Sequence, residues 1–218
     1  MAKLKVITVN QSVFAENDAI AAETREALRK KGLLFLNVMA SPGAGKTTLL
    51  LATIRALKDE CRIGVMEADI EATVDAKKIE AAGARAIQVH TGGACAMDAA
   101  MTREAVAAIG TEALDLLILE NVGNLVCPAG AAANVVLLSV PEGDDKPLKY
   151  PLMFEKADLV LVTKTDTRTY FPFDDAQFRQ NVRRVNPDAG ILFLSAKTGE
   201  GLNAWLDWLK TRITEFHF

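Results

Sequence analysis

The 218 residues contain no block of Lys and Arg, no low-complexity tract and no internal repeat. Charges interrupt every apolar run well short of the roughly 18 to 20 residues that a membrane helix needs. Only three cysteines occur, an odd number too small for a disulfide framework and suited to a reducing compartment. Met1 to Asn10 lacks the long apolar stretch and small-residue cleavage site of a secretory signal. Charge is nearly balanced, with 25 Lys and Arg against 28 Asp and Glu for a net −3, which gives no general attraction to nucleic acid or an anionic membrane. These absences predict a soluble, cytoplasmic chain with neither nucleic acid nor membrane among its partners. Any polyanion it binds must be small and locally held. No linker interrupts the sequence, so residues 1–218 are expected to form one domain, with 1–32 an N-terminal extension and helix and 33–218 the core.

What the chain does have is alternation. Leu33 to Met39, Arg62 to Met66, Arg85 to Val89, Leu114 to Leu119, Asn134 to Val140, Leu159 to Val162 and Ile191 to Leu194 are short apolar runs bounded by turn residues. Near-continuous apolar character is what strands buried on both faces require, because helices must cover both sides of a parallel sheet. Between these runs, Lys46 to Lys58, Val74 to Ala82, Asp98 to Ile109 and Asp175 to Val185 have helical spacing, as do Ala19 to Lys30 before the first strand and Leu202 to Ile213 at the end. The spacing predicts an α/β fold with a mostly parallel sheet of about seven strands and helices on both faces. Trp205 and Trp208 fall on or beside the apolar stripe of the last helix and are expected to pack, not to form a binding platform.

Ala40-Ser-Pro-Gly-Ala-Gly-Lys-Thr47 lies between the first strand and the next helix. This is the pattern of a P-loop, and it makes the fold a P-loop NTPase. Glycines let successive amides turn inward onto phosphate oxygens, Lys46 reaches the β- and γ-phosphates, and Thr47 ligates Mg²⁺. Gly43, Ala44, Gly45, Lys46, Thr47 and Thr48 are therefore candidate nucleotide contacts. Ala40 stands where the first glycine of the pattern belongs, and a β-carbon there narrows the accessible backbone angles.

Two later segments address the base. Thr163-Lys-Thr-Asp166 and Ser195-Ala-Lys197 each follow an apolar strand. Together they resemble the base-reading motifs of GTPases. An aspartate accepts two hydrogen bonds from the N1–H and N2–H₂ edge of guanine, an edge adenine does not offer, so Lys164, Asp166, Ser195, Ala196 and Lys197 are candidate GTP and GDP contacts. GTPases usually carry Asn where this chain has Thr163. Acids that could hold Mg²⁺ are Glu120, after the strand at Leu114 to Leu119, and Asp75, at the start of a helix, where a carboxylate equally well satisfies free amides. Glu67-Ala-Asp69 follows another strand, and Gly123 leaves space near the γ-phosphate. Lys46, Asp75 and Glu120 form the candidate catalytic set, with Thr47, Asp75 and Glu120 the candidate magnesium set.

Thr91-Gly-Gly-Ala-Cys95-Ala-Met-Asp98-Ala, Glu120-Asn-Val-Gly-Asn-Leu-Val-Cys127-Pro-Ala and Glu142-Gly-Asp-Asp-Lys-Pro-Leu-Lys-Tyr-Pro151 complete a series. With the P-loop, their order resembles the hydrogenase nickel-incorporation GTPases, the HypB family, over nearly the whole chain. The resemblance implies a GTP-bound homodimer with a metal site at its interface formed by Cys95 and Cys127, and delivery of nickel to a hydrogenase precursor with a maturation partner protein. Both cysteines follow strands by a few residues, and parallel strands deliver such loops to one edge of a sheet. Two thiolates per chain give four across a two-fold axis, enough for tetrahedral Zn²⁺ or square-planar Ni²⁺. Cys61, just before a strand, belongs to the opposite edge. The chain departs from the family where Ala96 replaces the usual His ligand and where Gly130-Ala-Ala-Ala-Asn134 replaces an acidic, aromatic stretch. His90, at the end of a strand, is no obvious substitute.

The expected function is a Mg²⁺-dependent, slow GTPase acting as a nickel metallochaperone, with Lys146 or Lys149 available to act across the dimer. Two alternatives stand beside it. A deviant-Walker ATPase would carry a lysine early in the loop, where this chain has Ser41-Pro42. A nucleotide-binding adaptor without metal transfer would explain Ala40 and Ala96.

Overall fold

The computed structural model describes residues 11–69, 74–90, 97–122 and 130–216. Each apolar run becomes a parallel strand: β1 Leu34–Ala40, β2 Ile63–Asp69, β3 Arg85–His90, β4 Leu116–Val122, β5 Ala133–Ser139, β6 Leu159–Thr163 and β7 Gly190–Phe193. They form one sheet in the order β3-β2-β4-β1-β5-β6-β7. All the pairings are parallel, as strands joined by helical crossovers require.

The helices are α1 Gln11–Lys30, α2 Lys46–Leu57, α3 Val74–Ala82, α4 Ala99–Ile109, α5 Lys146–Lys149, α6 Pro151–Glu155, α7 Asp175–Val185 and α8 Leu202–Phe216. Because successive strand side chains alternate, β1 feeds two cores. Leu34, Leu36 and Val38 pack with α2 and with Trp205 and Leu209 of α8, whereas Phe35 packs toward Leu28 of α1 and Ala105 and Ile109 of α4. Farther along that second face, Met39, Val136 and Val160 meet Phe154 of α6 and Phe178 and Val182 of α7. Trp205 is fully buried, donates Nε1–H to Thr53 Oγ1 at 2.9 Å and stacks on Trp208 at 5.6 Å, so both rings are packing residues.

Strand ends differ from the sequence expectation by up to three residues. β4 starts at Leu116 because Asp115 is engaged elsewhere, its carboxylate accepting from the backbone N and the guanidinium of Arg62. β2 and β4 both run farther than expected, so Glu67, Ala68, Asp69 and Glu120 lie within strands and not in the loops after them. α5, α6 and the 3₁₀ turns Val140–Glu142 and Thr165–Thr167 have no counterpart in the sequence reading, being too short to display a period. α1 begins at Gln11, well before Ala19, and is no loose appendage: Ala21, Thr24 and Leu28 are buried. No helix among the described residues is long and apolar enough to cross a membrane.

Candidate functional site

The site is assembled at the carboxyl edge of the sheet, where β1 delivers residues 41–45 to the start of α2. Gly43 and Gly45 adopt φ of +80° and +93°, angles that side chains other than glycine's strain to reach, and Gly45 is the N-cap of α2. Its first amides are thus presented toward the loop, the arrangement that binds phosphate. Ala40 proves to be no defect. It is the last residue of β1, paired with Val122, and its methyl is buried in the core. It is absent from the positive-φ residues, which apart from glycines are Ala113 and Lys164 among those described.

Three residues expected to share a magnesium ion are brought together. Thr47 Oγ1 lies 3.2 Å from Glu120 Oε1 and 3.4 Å from Asp75 Oδ2. Asp75 is also salt-bridged to Lys78 at 2.7 Å. An all-oxygen set carrying two carboxylates has the hard-donor chemistry Mg²⁺ prefers. Lys46 Nζ donates to Ala40 O at 3.1 Å, folding back over the loop. Burial pushes its pKa down from the ordinary lysine value, Glu120 and Glu142 pull it back up, and Lys146 adds to the lowering.

Lys146 is only 6% exposed, and its ammonium is engaged within its own chain by Glu142 Oε1 and Ser41 Oγ. Lys149, in contrast, is exposed and pairs with Asp145 at 2.6 Å. Glu142 is held by a capping box in which its Oε2 accepts from both N and Oγ of Ser139 at 2.7 Å. Burial alone would raise its pKa, but the hydrogen bonds from Lys146 and Ser139 outweigh that and hold it below the usual carboxylate value. Ser41 and Glu142, which hold Lys146 beside the phosphate loop, are neighbours the sequence reading missed. The Ser139-Val-Pro-Glu142 spacing was the available signal.

Beside the loop opens a cavity of about 340 Å³ lined by Gly45, Thr48, Lys164, Asp166, Ser195 and Lys197, together with Thr163, Thr167 and Ala196. Asp166 Oδ1 accepts from Ser195 Oγ at 2.7 Å, which fixes the carboxylate at the cavity wall. Lys164 bends back at φ +57° between β6 and the 3₁₀ turn. Thr163 acts as a tie, since its buried hydroxyl donates to Ala44 O at 2.6 Å and so joins β6 to the phosphate loop. Thr163→Val preserves shape but leaves that carbonyl unpaired, and is expected to lower unfolding free energy by about 1 to 2 kcal/mol and to weaken nucleotide binding. Urea denaturation and nucleotide titration check this, and a wild-type value in both would rule the tie out.

The candidate metal ligands Cys95 and Cys127, with Ala96 and Gly123, lie outside the described residues. Their neighbours in sequence are well placed, because α1 grips the chain just after each cysteine. Asn17 Oδ1 accepts from Ala99 N at 2.8 Å, and Arg25 Nε donates to Ala131 O at 3.0 Å. Gly130 passes so close to α1 that a β-carbon there would meet Ala21 O at 2.6 Å. His90 is exposed at the end of β3, opposite Asp69 in register. Cys61 sits at the other edge, where burial, with Asp115 and Glu60, pushes its thiol up to about 11.

Known proteins resemble this chain over most of its length. A family model described as CobW/HypB/UreG, nucleotide-binding domain, matches residues 34–193. Hydrogenase maturation factor HypB of Rhizobium leguminosarum bv. viciae is 46% identical over 214 residues, spanning 96% of this chain and 72% of that protein. The crystal structure of HypB from Archaeoglobus fulgidus superposes with a TM-score of 0.84 at 35% identity, covering 91% of this chain and 99% of that one. HypB from Helicobacter pylori in complex with nickel superposes equally well, at a TM-score of 0.84 and 42% identity, covering 93% of this chain and 97% of that one. A phosphate loop at the edge of a seven-stranded parallel sheet, extended relatedness along nearly the whole length and the match of the nucleotide-binding model together place this chain in the HypB family of hydrogenase maturation factors.

Proposed function

We propose that the chain is a Mg²⁺-dependent, slow GTPase whose nucleotide state controls pairing of two copies and the handling of a nickel ion as cargo. The observation that carries the reading is the convergence of Lys46, Thr47, Asp75 and Glu120 beside a cavity walled by Asp166, with Gly45 common to loop and cavity. The triphosphate lies along the amides of residues 43–48, the guanine edge meets Asp166, and Lys164 and Lys197 flank the base. Lys46 stabilises charge building on the β–γ bridging oxygen and on the γ-phosphoryl oxygens. Asp75 and Glu120 with Thr47 hold Mg²⁺, which when bound neutralises phosphate charge. Asp75 also stands near enough to Thr47 to orient the attacking water, and Lys78 limits its freedom.

Pairing of two copies is supported by Leu148, Tyr150 and Leu152, which are 47%, 48% and 68% exposed in α5, α6 and the junction between them. Lys149, exposed among them, reaches a neighbouring site by exchanging its solvent-exposed pair with Asp145. Cys95 and Cys127 supply the sulfur ligands for Ni²⁺ or Zn²⁺, and the H. pylori relative in complex with nickel supports nickel as the cargo. The recipient is a hydrogenase precursor approached with a maturation partner protein, in the cytoplasm, where free thiols persist.

Metal titration of wild type, Cys95→Ser and Cys127→Ser, each with GDP and with a non-hydrolysable GTP analogue, tests the cargo. Wild type is expected to retain nickel and each variant to lose most of it. Equal metal content in all samples would leave a nucleotide-binding adaptor in place of a metallochaperone.

A further inference from the structure

The wall of the base cavity carries several hydroxyls whose hydrogens are already placed within the chain. Thr167 Oγ1 donates to Lys164 O at 2.7 Å, Ser195 Oγ to Asp166 Oδ1 at 2.7 Å, and Thr163 Oγ1 to Ala44 O at 2.6 Å. Thr163 is held twice over. It is buried, and Leu138 O stands 3.4 Å from the same oxygen, so rotation of the hydroxyl only carries its hydrogen to another backbone carbonyl. A threonine hydroxyl has a single hydrogen, so toward a ligand this side chain offers lone pairs alone. Lys164 turns the other way: its Cε lies 3.9 Å from where a β-carbon on Gly45 would stand, which keeps its ammonium on the phosphate-loop side. The donors left to the cavity are in the backbone. Ser195 Oγ accepts from Thr198 N at 3.2 Å, and the amides of Ala196 and Lys197 between them have no partner among the described residues.

We propose that this site reads guanine through N1, N2 and O6 alone, and that Thr163 sets the limit by leaving N7 without a donor. Guanine presents hydrogens at N1 and N2 and bare acceptors at O6 and N7. Asp166 takes the N1–H and N2–H₂ edge, and O6, next to N1 and carrying two lone pairs, takes the Ala196 and Lys197 amides. N7 lies beyond O6, and the residue that ends β6 sets lone pairs against its lone pair. Asparagine, usual at this position in GTPases, has two donor hydrogens, enough for a backbone carbonyl and a base nitrogen together. The hydroxyl of Thr163 has one, and the tie to Ala44 O uses it. The ligand class is therefore wider than GTP and GDP: guanine nucleotides with carbon in place of N7 keep every atom that is read and bind as well as the natural ones. The inference rests on the guanine reading proposed above and specifies which atoms of the base that reading uses.

The experiment is competition of GTP, 7-deaza-GTP and inosine triphosphate against a fluorescent GDP on the full chain with Mg²⁺ present. In wild type, 7-deaza-GTP should match GTP to within about twofold, because the hydrogen bond that the carbon atom forfeits is not made. Inosine triphosphate, which keeps N7 and lacks the N2 amine, should bind about tenfold more weakly or worse, since it loses a bond to a carboxylate. Thr163→Asn should acquire a preference of about three- to tenfold for GTP over 7-deaza-GTP, the worth of one ordinary hydrogen bond. Thr163→Ser, which keeps the hydroxyl, should acquire none. Weakening of 7-deaza-GTP beyond about twofold in wild type, an Asn variant without the new preference, or a Ser variant with it, would each overturn the proposal. The wild-type comparison requires no variant to fold. Inosine triphosphate binding wild type as tightly as GTP would instead remove the guanine reading itself, so the two failures are told apart in one set of titrations.

Discussion

Lys46→Ala is expected to reduce GTP hydrolysis by about 10³-fold, the size of effect seen when one pre-aimed charge is removed from a reacting oxyanion. The reasoning is electrostatic. Lys46 is withdrawn from solvent far enough for burial to push its pKa down, and in such surroundings a positive charge acts more strongly on a phosphoryl oxygen than it would in water. Its ammonium rests on Ala40 O at 3.1 Å, a contact it exchanges for phosphate at little cost in reorganisation. Lys146 does not take over, because Glu142 and Ser41 already engage it. Single-turnover hydrolysis with saturating GTP separates the loss in chemistry from any loss in binding. Hydrolysis unchanged in the variant would mean that the phosphates lie elsewhere.

Asp166→Asn carries the second large effect, and it falls on the base. The carboxylate can accept from both N1–H and N2–H₂ of guanine, each a charge-assisted bond worth about 1.5 to 3 kcal/mol. Asparagine keeps one acceptor and turns an NH₂ group toward a donor on the base, so GTP affinity should fall by about 10²-fold or more. A xanthine base, which offers a carbonyl where guanine has its N2 amine, accepts from that NH₂ group and should bind the variant better than it binds wild type. Ser195 sharpens the expectation, since its 2.7 Å hydrogen bond already sets the orientation of the residue 166 side chain. Competition of GTP, ATP and xanthosine triphosphate for a fluorescent nucleotide reads all three. Equal affinity of wild type for GTP and ATP would remove Asp166 as the selecting residue and return the ATPase alternative.

The strands were legible because a sheet covered on both faces writes its burial directly into the sequence, as at Val135 to Leu138 and Leu159 to Val162. The phosphate loop was legible because its glycines serve a backbone requirement that few other sequences meet. Lys146 was not. A lysine in an acidic, proline-containing stretch looks solvated, and only the tertiary approach of Ser41 and the capping box at Glu142 bring it inside. The departure at Thr163 looked like a weakened base motif, yet its hydroxyl reaches Ala44 and makes a structural tie that is invisible without the register of β5 and β6. Likewise, Asn17 and Arg25 carry no motif. Their partners are backbone groups at Ala99 and Ala131, 82 and 106 residues distant, and nothing local records such a pairing. Asn121 stood inside a quoted motif, but its orientation away from Glu120 follows from strand alternation only once β4 is known to continue to Val122.

The most direct measurement is mass in solution with GDP and then with a non-hydrolysable GTP analogue, with bound nickel assayed in the same samples. A single-chain mass with GDP that doubles with the analogue, accompanied by a change in nickel content, is the expected result. One unchanged mass and one unchanged nickel content under both nucleotides would contradict the account.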